Sequence, residues 1–248
     1  MSPNSNKTLL QWSGSVFLAL VAGYLDGYGL LFLKSYVSFM SGNTTSTGVM
    51  IGSGHFATAF NSALAVACFV IGALLGSLVG QSGFRHVHRI TFLWIAAILA
   101  IVTGLEWNGP GSTVVEIALL CVAMGMVNPA LSKVGKEAVS LTFVTGGLTR
   151  MSGHLVSALA GKPLADAEGE GDSHLRRAGI AASIWGGFIG GALLAGMLLP
   201  SARAWALLPP CAVMVLLGLF SDRAPTPAKP VAAHGHDGSV GIVPQESR

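Results

Sequence analysis

The stretch 35–48, SYVSFMSGNTTSTG, gathers Ser38, Ser41, Asn43, Thr44, Thr45, Ser46 and Thr47 around Gly42. Hydroxyl and amide side chains at this density do two kinds of chemistry. They pair with backbone groups that regular structure leaves unsatisfied, or they take the place of a ligand's water shell. Upstream lies Asp26, the only charged residue in the apolar run 12–33. A carboxylate at the centre of a bilayer costs about 2.5–3.5 kcal/mol on insertion scales, so it faces a cavity or a partner. Two readings of Asp26 stand. It couples a proton or cation to transport, or it hydrogen-bonds the next segment and locks the bundle.

A second set of polar residues follows the same order. AGYLD at 22–26 precedes VSFMSGNTTSTG at 37–48, and MGMVN at 124–128 precedes LTFVTGGLTRMSG at 141–153. The alignment pairs Gly23 with Gly125, Asp26 with Asn128, Ser38 with Thr142, Ser41 with Thr145, Gly42 with Gly146 and Thr45 with Thr149. Further on, GALLG at 72–76 echoes GALLAG at 191–196. Asn128 is followed by Pro129, which ends or kinks a helix, and Arg150 could neutralise an anion or the Asp26 carboxylate. The candidate solute- or ion-binding residues are therefore Asp26, Ser41, Gly42, Asn43, Thr44, Thr45, Asn128, Thr145, Thr149 and Arg150.

The elements that must position these residues are membrane helices. Of the 248 residues 52% are hydrophobic and 10% charged, against roughly 25% charged in soluble chains. Six runs are long enough to cross a bilayer: 12–33, 59–80, 90–107, 114–130, 178–199 and 203–220. The segments 36–53 and 138–153 then read as broken or re-entrant helices, because irregular backbone at membrane depth needs protein or a water-filled cavity around it. An ordinary turn followed by a helix capped by Asn43 or a nearby hydroxyl is the plainer alternative for the first. The fold class expected is an all-α membrane protein of about six spans.

Each half holds three spans, an odd number, so the halves should be inverted repeats. Residues 12–107 form the first repeat and 108–220 the second, between an N-terminus 1–11 and a tail 221–248 rich in Pro, Gly and polar residues that should be disordered. One side of the six-span plan collects Lys7, Arg85, Arg89, Lys133, Lys136, Arg150, Lys162, Arg176, Arg177, Arg223, Lys229 and Arg248, while the other side holds only Lys34 and Arg203. The positive-inside rule then puts both termini in the cytoplasm.

The GYLDG…SFMSGNTT arrangement, with GMVNPAL…TFVTGGLTR in the second half, resembles the YoaK-like family of multipass membrane proteins known as DUF1275. The resemblance covers nearly the whole chain up to about Phe220. It implies a bacterial-type inner-membrane protein and carries no activity.

Other motifs add little. Cys68, Cys121 and Cys211 lie in apolar runs and suggest no disulfide framework. Asn43-Thr44-Thr45 matches a glycosylation sequon but belongs to a buried or membrane-surface segment. Glu116 reads as a solvated interfacial charge, His86 and His88 as loop residues, and HGHD at 234–237 as a solvated tail. The strips Gly72/Gly76/Gly80 and Gly186/Gly190 with Gly187/Gly191 suit close helix approach, within the chain or between copies in a homo-oligomer. There is no nucleotide-binding loop, no HExxH and no nucleophile elbow. No enzyme activity, metal or cofactor is expected, and a net charge of +3 gives no case for nucleic acid. The partners expected are the lipid bilayer and a small polar solute or ion, protons included. The function expected is a transporter or channel with a site near the midplane. The alternative is a membrane scaffold or regulator whose polar residues only knit the helices together.

The charge bias makes one prediction. Topology reporters fused at Gly83 and after Phe220 should both read cytoplasm, and one at Gly109 the opposite face; Gly83 and Gly109 on the same side would overturn the six-span plan.

Overall fold

The computed structural model describes residues 3–82, 86–107, 109, 111–130, 133–134, 137–138, 144–167, 171–201 and 205–220. The tail with its HGHD motif, and Thr142 and Phe143 of the second polar segment, lie outside the described residues. Among the described residues eight α-helices follow one another: α1 (Pro3–Tyr28), α2 (Met40–Gly52), α3 (Phe56–Gln81), α4 (Val87–Trp107), α5 (Thr113–Ala130), α6 (Val144–Leu159), α7 (His174–Leu198) and α8 (Leu208–Phe220). The only strands among the described residues are the two-residue pair β1 (Lys133–Val134) and β2 (Glu137–Ala138). A π-helical turn, Gly29–Leu33, continues α1.

The protein is an all-helical membrane protein. Among the described residues four segments are long and apolar enough to cross a bilayer: Trp12–Leu33, Phe56–Gln81, Val87–Trp107 and His174–Leu198. Thr113–Pro129 and Leu208–Phe220 are shorter apolar helices. The last is shorter than the sequence run 203–220 because Pro209 and Pro210 fix its first turn. Proline is tolerated there, where the amides have no intrahelical partner.

Two interfaces dominate, α1 on α7 and α3 on α5. Lipid is as apolar as leucine, so helices in it associate through close packing rather than through the hydrophobic effect. Glycine makes that approach possible at both crossings. A Cβ on Gly23 would collide with the Phe188 carbonyl, and one on Gly191 with that of Leu20. On the other pair, Gly72 lies against the Val122 carbonyl and Gly125 against that of Phe69. Of the two glycine strips, Gly72, Gly76, Gly187 and Gly191 are thus used within the chain, while no described residue lies within 4 Å of a Cβ at Gly80, Gly186 or Gly190.

The contacts also fix helix directions. Trp12 Nε1 donates to Ser183 Oγ at 2.7 Å, and Val16 meets Gly187 while Leu20 meets Gly191, so α1 and α7 run parallel. Phe69 with Gly125 and Gly76 with Met126 make α3 and α5 parallel as well. By contrast, α4 and α8 are antiparallel: Trp107 stacks edge-on with Trp205, centroids 4.4 Å apart, while Gly218 lies against Leu93.

Helix α2 folds back along α3, with Ser62 Oγ donating to Ser46 Oγ at 3.1 Å. Met40 therefore lies level with the region of Cys68, about 18 Å along α3 from Phe56 at 1.5 Å per residue. Helix α2 has 13 residues, about 20 Å of rise, and so begins near the middle of α3.

One expectation is corrected. Glu116 is no solvated interfacial charge: it is 1% exposed and accepts a hydrogen bond from Tyr28 Oη at 2.9 Å. A carboxylate in the first turn of α5 has this option because the end of α1 delivers a buried tyrosine hydroxyl to it. His88, expected in a loop, lies in the first turn of α4.

The crossings generate a stability prediction. Gly23→Ala and Gly72→Ala each push a methyl into backbone that has no free end to yield, so each should destabilise by about 1–3 kcal/mol or more. Gly190→Ala should be neutral. Thermal unfolding of the detergent-purified variants reads the difference, and equal midpoints for all three would refute the packing argument.

Candidate functional site

The site is built on the return of the chain between α1 and α2. After Tyr28 the helix widens into the π turn, and Lys34 ends it in the left-handed conformation at φ 55°. Ser35 N donates back to Gly29 O at 3.3 Å. Gly29 is needed here because a Cβ would collide with the Ser35 carbonyl. The chain then descends past its own helix until residues 36–39 lie beside Asp26.

Asp26 holds them there. The residue is 5% exposed. Its Oδ1 accepts the amides of Val37 at 2.8 Å and Ser38 at 2.6 Å, and its Oδ2 accepts the Ser38 hydroxyl at 2.7 Å. The carboxylate lies just before the first turn of α2, where the helix dipole and unpaired amides favour negative charge. Asp26 of α1 thus holds the two residues just before the N-cap residue of α2, Phe39, which makes no side-chain cap bond itself.

Asn43 closes the loop from the other side. Its Oδ1 accepts Tyr36 N at 3.0 Å and its Nδ2 donates to Tyr36 O at 2.7 Å. One amide side chain thereby satisfies both backbone groups of a residue that has no helix to do so. Cys121 of α5 adds a weak contact, Sγ to Tyr36 O at 3.8 Å. Gly42 leaves room for the Phe39 ring, which packs edge-on to Tyr36 with centroids 5.2 Å apart.

The remaining hydroxyls divide by face. Thr44 and Thr47 donate back to the carbonyls of Met40 and Asn43, at 2.8 and 2.9 Å. Ser41, Thr44 and Thr45 are exposed. Ser35 Oγ is buried with no hydrogen-bond partner among the described residues.

The second polar set is on α6. Thr145 and Thr149 are exposed, and Thr149 Oγ1 donates to Thr145 O at 3.1 Å. Arg150 is half-buried, and among the described residues no ion pair joins it to Asp26, whose acceptors are filled by Val37 and Ser38. Asn128 is half-buried in the last turn of α5 beside Pro129. Helix α2 packs on α3 and α6 on α7, so Asp26, Gly42 and Asn43 come together as one cluster. Thr145, Thr149 and Arg150 form another.

Sequence reasoning missed two partners, Ser38 and Tyr36. Ser38 carried a signal, because the repeat pairs Asp26 and Ser38 with Asn128 and Thr142, an acid or amide and a hydroxyl at matching spacing. Tyr36 contributes only backbone and carried none.

The family model described as "Protein of unknown function (DUF1275)" matches residues 14–220. The chain belongs to the DUF1275 family. It is 32% identical over 142 residues to the UPF0700 transmembrane protein RA0705 of Rhizobium meliloti (strain 1021), covering 55% of this chain and 60% of that one. It is 29% identical over 140 residues to the UPF0700 transmembrane protein YoaK of Bacillus subtilis (strain 168), covering 54% and 62%. The matching stretch thus spans about six-tenths of each relative's own length. No solved structure matches.

The clasp predicts a split between two substitutions. Asp26→Asn keeps one oxygen for the two amides, and its new Nδ2 donates to a Ser38 hydroxyl turned round to accept, so it should insert and fold with little loss. Asp26→Leu strands three donors at about 1–3 kcal/mol each and should not yield stable protein. Yield and thermal unfolding read both, and equal loss in the two variants would show that charge, rather than hydrogen bonding, holds the loop.

Proposed function

We propose that the protein is a multi-pass transporter or channel for a small polar solute or ion. It would be built from two inverted three-span repeats in a bacterial inner membrane, with both termini cytoplasmic. The observation that carries this reading is the half-length helix α2, which starts at mid-depth of α3 beside a buried carboxylate. Transporters recurrently form their sites near the midplane from interrupted helices, and tolerate such backbone only where it is covered or lines a cavity.

The contact pattern supports the repeat. Exchanging α1 with α5, α2 with α6, α3 with α7 and α4 with α8 turns the α1–α7 contact into α5–α3. The same exchange turns α2–α3 into α6–α7 and α4–α5 into α8–α1, and leaves α4–α8 as it is. The glycines at the two main crossings are the pairs that the repeat aligns, Gly23 with Gly125 and Gly72 with Gly191. Parallel α1 and α7, parallel α3 and α5, and antiparallel α4 and α8 are also the directions that six alternating spans require.

In this reading Asp26, Gly42, Asn43 and Asn128 position backbone, and the solute meets the hydroxyls of Ser41, Thr44, Thr45, Thr145 and Thr149. Arg150 would face any anionic group of the solute. A second reading, a non-transporting scaffold, draws support from the bonding of Asp26 and Asn43, whose polar atoms are all engaged by the loop itself.

Cysteine accessibility separates the two. In a background without native cysteines, Ser41→Cys, Thr45→Cys and Thr145→Cys in proteoliposomes should react with small water-soluble thiol reagents, while Asn43→Cys should not. Inertness of all four from both faces would leave the scaffold.

A further inference from the structure

The inward side chains of α1 change their spacing at its end. Leu18, Val21, Leu25 and Tyr28 follow one another at helical steps of three and four, and each is at most 1% exposed. The next side chain to face inward is Leu33, a step of five, while Leu30 and Leu31 face outward. That step is the π turn, Gly29–Leu33, and such a turn holds one residue more than an α-helical one. An α-helical continuation from Tyr28 would bring Phe32 inward at the place that Leu33 now takes.

The extra residue comes with local costs. Lys34, at φ 55°, is the non-glycine residue at positive φ among those described, a conformation that crowds its Cβ against the following carbonyl oxygen. The Gly29 carbonyl receives the amides of both Lys34 and Ser35. The Ser35 hydroxyl is buried with no hydrogen-bond partner among the described residues, and a polar group left so is penalised.

Both ends of this strained stretch are pinned. Tyr28 Oη donates to Glu116 at 2.9 Å on one side, and Asp26 accepts the amides of Val37 and Ser38 on the other. Strain held between such anchors is found at switch regions, and π turns recur at functional sites. Its relief has a defined course. Passing the spare residue from the turn into the loop makes the turn α-helical and rotates Phe32 inward by about 100°. It also frees Lys34 to take right-handed backbone.

We propose that residues 29–35 form a two-state switch between a strained π turn and a relaxed α-helical turn. The π form is the one described above. In the relaxed form the loop before Val37 is one residue longer, which slackens the tie between α1 and the start of α2. The state of the turn then sets how firmly α2 is held beside Asp26. This goes beyond the transport reading and stands without it, since it concerns only the course of the chain between two fixed hydrogen-bonded points.

The test uses the full chain in nanodiscs with Phe32 replaced by 4-fluorophenylalanine, so that fluorine resonance reads whether the ring faces in or out. Two exchanging resonances are expected. Lys34→Gly removes a penalty that only the π form carries, so it should raise the ratio of π to relaxed form by about fivefold or more. Ser35→Ala removes the unpaired hydroxyl and should move the ratio in the same direction. Deletion of Leu31 takes out the spare residue and should leave a single resonance. Absence of a second resonance, both directly and by saturation transfer, overturns the switch. So does a ratio that both substitutions leave unmoved or move the other way, and so do two resonances kept in the deletion variant. The two substitutions decide the matter even if the deletion variant fails to fold.

Discussion

The Asp26 carboxylate and the three donors it holds are the constraint on which the first half of the molecule depends. The backbone from Lys34 to Phe39 is not helical, yet Ser35, Val37 and Ser38 are 3%, 1% and 1% exposed. Polar backbone at that depth has no water to bond, and each unmet group is costly. Asp26 takes two of the amides, Asn43 takes both groups of Tyr36, and Gly29 accepts from Ser35. With those bonds made, the chain can reverse inside the bundle and launch α2 from mid-depth. Without them the lower-energy course is for α1 to continue to the surface, and the half-helix would not exist.

The two parallel pairs, α1 with α7 and α3 with α5, provide the rigid body against which this loop is held. Both are fastened by backbone contact at glycine. The close approach of α3 and α5 also brings Cys121 under the Tyr36 carbonyl, so the crossing and the loop are parts of one packed region. Helices α2 and α6 differ from these four. Each packs mainly on one neighbour, α3 or α7, and each is short, 13 and 16 residues.

Much of this was legible in the sequence, for physical reasons. Long apolar runs declare helices, so α3, α4, α5 and α7 appear close to their expected bounds, while α1 begins nine residues before the run 12–33 and the last five residues of that run form the π turn. A density of hydroxyls between such runs declared a broken or re-entrant segment at 36–53, but the irregular backbone lies at 34–39 and Gly42 is inside the helix that follows. Other features left no trace. The start of α8 depends on how Pro209 and Pro210 are spent in a first turn, which a hydropathy run from 203 conceals. Glu116 read as surface because its partner, Tyr28, lies far along the chain and aromatic hydroxyls in apolar runs announce no partner. Local composition shows where polar groups must be satisfied, but long-range packing decides which groups satisfy them.

Whether Asp26 must do more than hold the loop can be weighed with magnitudes. Burying a carboxylate mid-helix costs about 2.5–3.5 kcal/mol on insertion scales. Hydrogen bonds to a charged group contribute about 1.5–3 kcal/mol each, and Asp26 accepts three. The start of α2 adds the favourable end of a helix dipole. The clasp therefore offsets the cost of the charge without any transported ion. The aligned position in the second half carries an amide, Asn128, where a carboxylate is not used at all. Under the proposed transport reading, recognition of the solute would fall to groups that the clasp leaves uncommitted. On the first half-helix those are the exposed hydroxyls of Ser41 and Thr45, together with the buried hydroxyl of Ser35, which has no hydrogen-bond partner among the described residues.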